Sequence, residues 1–313
     1  MKHDIHKTGI ARSNHKILAA LLKDQTLSTP EKAVNISWAT NDYASLNGET
    51  ADEANPYACT SEIMAEVFDD NSDIIAPRVT KHEAWQTARS KNRAEVFTPA
   101  WICNAQNNLI DERWLGYAGA FNTEVAHEDG TRTWQTTTEP VTFPKGKSWM
   151  RYVRARRLEI TCGEGPYLVS RYDTTTGERI AIGERIGMLD RKFRIINENT
   201  PSDTSRASKR QWLRRAYQAL QSMYGFDWQG DNVFLTRESL LHSFCDYYIN
   251  RWQRMPHIEA IMKAAEIISW NVWQMDGTSF TIPGTDMPAI IMEWHGTEPL
   301  SGKHVAYKDI VGK

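Results

Sequence analysis

Three short segments place glycines or a carboxylate directly after an apolar run. They are Cys162-Gly163-Glu164-Gly165-Pro166-Tyr167, Gly225-Phe226-Asp227-Trp228 and Gln274-Met275-Asp276-Gly277. Glycines let the backbone turn tightly and approach a ligand closely. A carboxylate can accept two hydrogen bonds from a ribose diol, or one from an adenine amino group. A single G-x-G is more often a turn than a nucleotide site, but three such segments in order favour a nucleotide-like ligand.

The elements that must position these segments alternate between strand and helix. Hydrophobic periodicity predicts strands over 158–161, 224–228 and 267–273, and helices over 207–223, 236–253 and 257–266. This alternation is typical of βαβ units in a parallel sheet. Ligands of such sheets bind at the carboxyl ends of the strands. We therefore expect the three segments to meet at one edge of a sheet.

Outside this region the patterns are weaker. Two further helices are predicted, one over 11–23 behind a Ser13 or Asn14 cap and one over 100–114 after Pro99. Residues 24–94 are expected to be irregular. Residues 115–148, rich in Thr, Gly and Pro, are predicted to form a long loop or an extended excursion.

Four motifs, taken together, carry a family resemblance. Glu95-Val96-Phe97-Thr98-Pro99, within KNRAEVFTPAWICNAQNN, resembles the E-V-F-T-P element of type I and type IIG restriction–modification methylases, which are DNA adenine-N6 methyltransferases. LEITCGEGPYLVSRYD is similar to that family's D-P-A-C-G-S-G-x-F-L motif, although Ile160 replaces its proline and Glu164 its serine. YGFDWQGDNVFLTRESLL and IISWNVWQMDG are similar to the second and third motifs. The resemblance covers about residues 90–277.

The resemblance implies an S-adenosylmethionine site. In the family the Thr-Pro turn closes over the methionine end of the cofactor, the second-motif acid (Asp227) holds the ribose hydroxyls, and the third-motif acid (Asp276) reads the adenine end. The implied cofactor-binding residues are Phe97, Thr98, Pro99, Glu159, Cys162, Gly163, Gly165, Tyr167, Asp227, Trp228 and Asp276.

The resemblance also implies an α/β fold. A Rossmann-like S-adenosylmethionine-dependent methyltransferase sheet is expected within residues 91–313, after a helical or irregular N-terminal extension over residues 1–90. About 36 residues follow the third motif, too few for the four or so further strands of a complete sheet. We expect an incomplete sheet that ends at its third strand. The unpaired edge of that strand favours a partner that covers it.

The family's catalytic [N/D]-P-P-[Y/F] loop has no counterpart in the sequence. That loop accepts a hydrogen bond from the adenine amino group and stacks an aromatic ring on the flipped base. Asn55-Pro56-Tyr57 has one proline and precedes the cofactor motifs, so a plain turn is the preferred interpretation. The isolated chain is therefore predicted to be inactive. A companion subunit carrying N-P-P-Y would complete a site-specific adenine methyltransferase and bring it to DNA.

Two other interpretations stay open. A catalytically inactive relative could act as a regulatory subunit, or as an anti-restriction decoy in phage–host defence. The stretch from Asp42 to Asp73, with nine acidic residues and no Lys or Arg, suits a decoy that imitates DNA charge, although a solvated surface is the simpler explanation. A methyltransferase acting on small molecules or proteins would carry the same cofactor motifs, but the E-V-F-T-P element weighs against it.

Composition argues against several classes. No apolar run reaches the roughly 20 residues of a membrane helix. The four cysteines contain no C-x-x-C pair and the nine histidines no H-x-x-x-H or H-x-H pair, so no metal site is expected. Scattered cysteines fit a reducing, cytoplasmic compartment.

The net charge of −2 hides a basic block. Residues 143–215 contain 17 basic and 8 acidic residues. Two runs stand out: Arg151, Arg154, Arg156 and Arg157, and Lys209, Arg210, Arg214 and Arg215. They could face phosphates through sequence-independent contacts, or be ordinary surface arginines.

Overall fold

Helices and strands alternate through most of the molecule. The structure, a computed structural model of the chain, describes residues 9–44, 55–70, 73–83, 86–87, 89–90, 97–297 and 300–312. Within these residues the helices are α1 (Ile10–Ser13), α2 (His15–Leu22), α3 (Val67–Asp70), α4 (Ala100–Leu115), α5 (Trp149–Val153), α6 (Met188–Asn199), α7 (Arg206–Leu220), α8 (Gly230–Trp252), α9 (Ile258–Asn271) and α10 (Tyr307–Val311). The strands are β1 (Asn122–Ala126), β2 (Arg132–Thr136), β3 (Arg157–Ile160), β4 (Met223–Asp227), β5 (Val272–Gln274), β6 (Ile290–Thr297) and β7 (Leu300–Ala306).

The three strands that precede the chemical segments pair as predicted. They form one sheet in the order β3-β4-β5, and both pairs are parallel. In this register Ile160 lies beside Phe226, and Asp227 lies beside Gln274. The chain is therefore a mixed α/β protein, and the sheet brings the ends of its three strands to one edge.

The central strand, β4, is buried along its whole length, as expected for a parallel strand covered on both faces. On one face Tyr224 and Phe226 join Trp273 and the C-terminal Tyr307 in an apolar cluster. On the other face Met223 belongs to the larger core that includes residues of α2, α8 and α9. The sheet is thus held between helices and the C-terminal segment.

The predicted third strand is shorter than expected. The run 267–271 belongs to α9, and only Val272–Gln274 are extended. Ile267 and Ile268 are fully buried on the helix, and a short apolar run in a buried helix cannot be told from a strand by periodicity. The predicted boundary was wrong for this reason.

Elsewhere the predictions were incomplete. The 115–148 excursion contains an antiparallel hairpin formed by β1 and β2, and a second hairpin, β6 and β7, follows the third motif. The helix predicted over 11–23 is present as α1 and α2. Asn14 caps α2, because its Oδ1 accepts hydrogen bonds from the Lys16 and Ile17 amides. Within the described residues, every helix is too short or too polar to cross a bilayer.

Among the described residues the sheet has two edge strands, β3 and the predicted third strand β5, and β3 is the more exposed of the two. All three residues of β5 are buried, since the Gln274 side chain is bonded to Ser37 and Trp273 packs on Tyr307. On β3, by contrast, Leu158 is 44% exposed and Ile160 63% exposed. No strand among the described residues pairs with the outer side of β3.

Candidate functional site

A glycine loop, residues 162–168, turns the chain sharply at the end of β3. Gly163 has φ +53° and Gly165 φ +72°, values that favour glycine. A Cβ atom on Gly165 would lie 2.9 Å from Thr236 Cγ2, so the loop packs closely on α8. At Gly163 a Cβ would meet no described atom within 4 Å, which leaves open space on that side of the loop.

The Glu159 carboxyl group accepts hydrogen bonds from two amides of the glycine loop. Its Oε2 accepts a hydrogen bond of 3.1 Å from the Leu168 amide, and Oε1 accepts one of 3.4 Å from the Tyr167 amide. The side chain is buried, and burial raises the pKa of Glu159 to about 8 by disfavouring its charged form. Glu159 therefore stabilises the loop from within the protein.

Asp227, at the end of β4, is bonded directly to the same loop. Its Oδ2 accepts a 2.9 Å hydrogen bond from the Gly163 amide. Its Oδ1 accepts one of 3.0 Å from the Gln229 amide and one of 3.3 Å from Asn232 Nδ2. Burial raises the pKa of Asp227 to about 6, and these hydrogen bonds oppose the rise. Since a carboxylate has about four acceptor positions, three are already used.

The described part of the E-V-F-T-P element lies against this loop; Glu95 and Val96 fall outside the described residues. Pro99 precedes the first turn of α4. Burial raises the pKa of Tyr167, and a side-chain hydrogen bond with Thr98 opposes the rise. The Arg78 guanidinium lies 4.8 Å from the centre of the Phe97 ring. The structure therefore brings Thr98 to Tyr167 of the glycine loop. Phe97 is linked to the loop through Arg78, whose amide donates to Glu164.

Three other predicted residues are placed differently. Cys162 is buried, with Sγ 3.7 Å from Thr236 Oγ1, so its side chain faces the core. Trp228 is 41% exposed and its Nε1 donates to Ala39 O. Asp276 closes its own turn, since Oδ1 accepts from both the amide and the hydroxyl of Thr278 at 2.7 Å. The Cys162 and Asp276 side chains are therefore engaged within the protein, whereas Trp228 is partly exposed.

Several residues that shape the site were not predicted. Glu164 is buried, and its carboxylate accepts hydrogen bonds from the Arg78 amide and the Tyr172 hydroxyl. Gln274 Nε2 donates to Ser37 O and Trp228 O. Except for the contact between Tyr172 and Glu164, these contacts join residues far apart in the sequence. In the sequence, the only indication of these contacts was that Glu164 stands where the family has serine.

The N-terminal region covers the carboxyl edge of the sheet. A Cβ on Gly230 would lie 2.0 Å from Ser37 O, so the start of α8 is in direct contact with this backbone. Tyr43 OH donates to Asp231 Oδ2 at 2.5 Å. Arg89 forms a buried ion pair with the same carboxylate, and this partner lowers the pKa of Asp231 against the effect of burial. We call residues 36–44 with Arg78 and Arg89 the N-terminal cover.

Asn55-Pro56-Tyr57 forms a turn, which is the interpretation that the sequence favoured. Asn55 Oδ1 accepts from the Tyr57 amide at 2.9 Å, and Pro56 O accepts from Trp38 Nε1. Tyr57 also packs on the Trp38 ring. These contacts account for the segment as part of the packing around Trp38.

Comparison of the chain with models of protein families, with curated proteins and with solved structures finds no match.

Proposed function

We propose that this chain is the cofactor-binding subunit of a split DNA adenine-N6 methyltransferase of a restriction–modification or phage-defence system. In this proposal residues 91–313 form the S-adenosylmethionine-binding domain, on a Rossmann-like sheet that a partner completes, and residues 1–90 form its extension. The supporting observation is the hydrogen bond from the Gly163 amide to Asp227 Oδ2. It joins the two motifs that the resemblance assigns to one cofactor.

The residues at this edge fit a nucleoside. Asp227 keeps about one free acceptor position for a ribose hydroxyl. The exposed ring of Trp228 offers an aromatic surface beside it. Gly163 leaves room for close approach of a ligand to the backbone. Cys162 would contribute through its backbone, because its thiol faces the core.

The free edge of β3 is where we propose that the partner docks. The Arg157 amide donates to Ser222 O, toward β4, so the backbone groups of the next residue, Leu158, point away from β4. The exposed side chains of Leu158 and Ile160 lie on the same face as Tyr224 and Phe226. A partner strand beside β3 would pair these groups and cover the apolar side chains. The N-P-P-Y loop and DNA recognition would come from that partner.

One observation favours the second candidate, a catalytically inactive relative with a regulatory or decoy role. The N-terminal cover contacts the start of α8 and the end of β5, and Asp227 is almost saturated with hydrogen bonds. A chain whose strand ends are filled by its own residues needs no ligand there. The two candidates therefore differ in whether S-adenosylmethionine binds.

Titration calorimetry with S-adenosylmethionine tests the proposal. We expect binding by the wild type, and at least about tenfold weaker binding by Asp227→Asn, since loss of a hydrogen bond to a charged group is worth about 1.5 to 3 kcal/mol. Asp203→Asn makes the same chemical change at the start of α7 and should bind normally. Absence of binding by the wild type would support the inactive relative. Equal binding by both variants would refute the role of Asp227.

A further inference from the structure

A cationic groove runs between α7 and the first turns of α9, apart from the candidate cofactor site. It has a volume of about 1280 Å³. The basic residues that line it are Arg206, Arg210, Arg214, Arg215, His257 and Lys263. Glu259 is its one acidic lining residue, and it lies 3.7 Å from His257. The groove therefore carries a strong excess of positive charge.

The arginines of α7 are arranged in a way that costs helix stability. Arg206, Arg210 and Arg214 are exposed and lie four residues apart, a spacing at which like charges repel one another. Within the described part of the chain, none of the three guanidinium groups takes part in a hydrogen bond or an ion pair. Three unneutralised guanidinium groups on one helix face indicate that the anion they attract comes from outside.

Arg215 adds to the positive charge at the side of the groove, and its Nη1 donates to Gln218 Oε1 at 2.9 Å. Its Nε is buried and has no hydrogen-bond partner in the described structure, although a buried donor left unpaired costs about 1 to 3 kcal/mol. Burial and the nearby Arg214 and Arg154 lower the pKa of Arg215. Its guanidinium lies 5.5 Å from the centre of the Trp149 ring. The positive charges of Arg154, Arg214 and Arg215 therefore repel cations from this side of the groove.

We propose that this groove binds the phosphodiester backbone of a nucleic acid. Arg206 to Arg214 span about 12 Å of helix at about 1.5 Å per residue, whereas successive nucleotides of one strand rise about 3.4 Å. A row of this length matches several phosphates of a chain rather than one free phosphate. Guanidinium groups are suited to phosphate because they donate two parallel hydrogen bonds.

In the proposed function DNA is reached through the partner, whereas this groove would bind a nucleic acid directly. This direct contact requires no cofactor and no methyl transfer, and it gives this chain a polyanion-binding surface of its own. Such binding would be independent of sequence and sensitive to salt.

Fluorescence anisotropy with a labelled DNA duplex, the corresponding single strand and an RNA of equal length tests the proposal. We expect the full-length chain to bind at least one of them, with an affinity that falls linearly with salt on logarithmic axes between about 50 and 200 mM. Arg210→Glu/Arg214→Glu should weaken binding by at least about tenfold and lower the salt slope by about 2. Arg113→Glu/Arg179→Glu, with the same change of charge at exposed sites outside the groove, should bind as the wild type does.

Two results would overturn the proposal. One is equal loss of binding in both double variants, which would show only a general effect of net charge. The other is failure of the wild type to bind any of the three probes. If the wild type then binds polyglutamate, the groove binds an acidic protein and the proposal is wrong. Calorimetry with S-adenosylmethionine on the same samples keeps the two proposals distinguishable, because Arg210→Glu/Arg214→Glu should leave cofactor binding unchanged.

Discussion

Two buried carboxyl groups, Glu159 and Asp227, hold the glycine loop between β3 and β4. Each carboxyl group accepts hydrogen bonds from backbone amides rather than from solvent. Burial disfavours the charged form of both, and the pKa of Glu159 rises to about 8 while that of Asp227 rises to about 6. The stability of the loop is therefore coupled to pH.

We expect the free energy of unfolding to fall as pH rises from about 5.5 to about 8, and Glu159→Gln to reduce that fall. The pKa of Glu159 is raised from 4.5 to about 8 in the folded state, so between these values the folded chain holds a proton that the unfolded chain has lost. This contribution is greatest below 4.5 and is lost as pH approaches 8. Urea unfolding at the two pH values measures it.

Asp203→Asn is the control for this pH effect. Hydrogen bonds from Ser205 and Ser208 lower the pKa of Asp203 to about 2, so its titration lies below the tested range and the variant should keep the wild-type pH dependence. A Glu159→Gln variant with the full wild-type fall would show that another group is responsible.

The close approach of Gly165 to Thr236 gives a second prediction for single residues. Gly165→Ala should destabilise the protein by about 1 to 3 kcal/mol, because it adds a Cβ 2.9 Å from Thr236 Cγ2 at a backbone φ of +72°. Gly163→Ala also has a positive φ but no atom within 4 Å of its Cβ among the described residues, so it should cost less. Urea denaturation compares the two, and equal costs would mean that the contact with α8 is unimportant.

At the scale of elements, β3 differs from its neighbours because it is an exposed edge. Replacing Ile160, which is 63% exposed, with lysine should change the free energy of unfolding by less than about 0.5 kcal/mol. The same change should reduce concentration-dependent association, since a charge on an edge strand opposes pairing with another chain. Sedimentation velocity over a range of concentrations measures that association.

Ile310→Lys is the matched control, because Ile310 is 52% exposed but lies on α10. It should associate as the wild type does. If both variants lose association equally, general surface hydrophobicity explains the effect and the edge of β3 has no special role.

The elements show what the sequence could predict. Strand and glycine loop follow one another directly in the chain, so the order and types of the residues predicted β3 with Gly163 and Gly165 at its end. The same pattern predicted that this loop lies close to Asp227. The start of β5 was not, because Ile267 and Ile268 are buried equally well on a helix. The C-terminal hairpin was missed because its pattern of burial is irregular.

At the scale of the whole molecule, the N-terminal cover is the feature that the sequence concealed most completely. Ser37 meets Gln274 across 237 positions, and Tyr43 meets Asp231 across 188. Neither contact has a local pattern that could predict it. The cover brings the first third of the chain to the candidate cofactor edge, whose other residues come from the middle and last thirds. A ligand there would act on all three.

The most direct test of cofactor binding at this edge is amide hydrogen exchange with and without saturating S-adenosylmethionine. We predict slower exchange in peptides that contain Gly163–Leu168 and Asp227–Asn232, because a ligand at these residues stabilises the amides around it. Peptides from β1 and β2, on the separate hairpin, should exchange at unchanged rates. Unchanged exchange at both Gly163–Leu168 and Asp227–Asn232 at saturation, or protection confined to other segments, would contradict the assignment of this edge as the cofactor site.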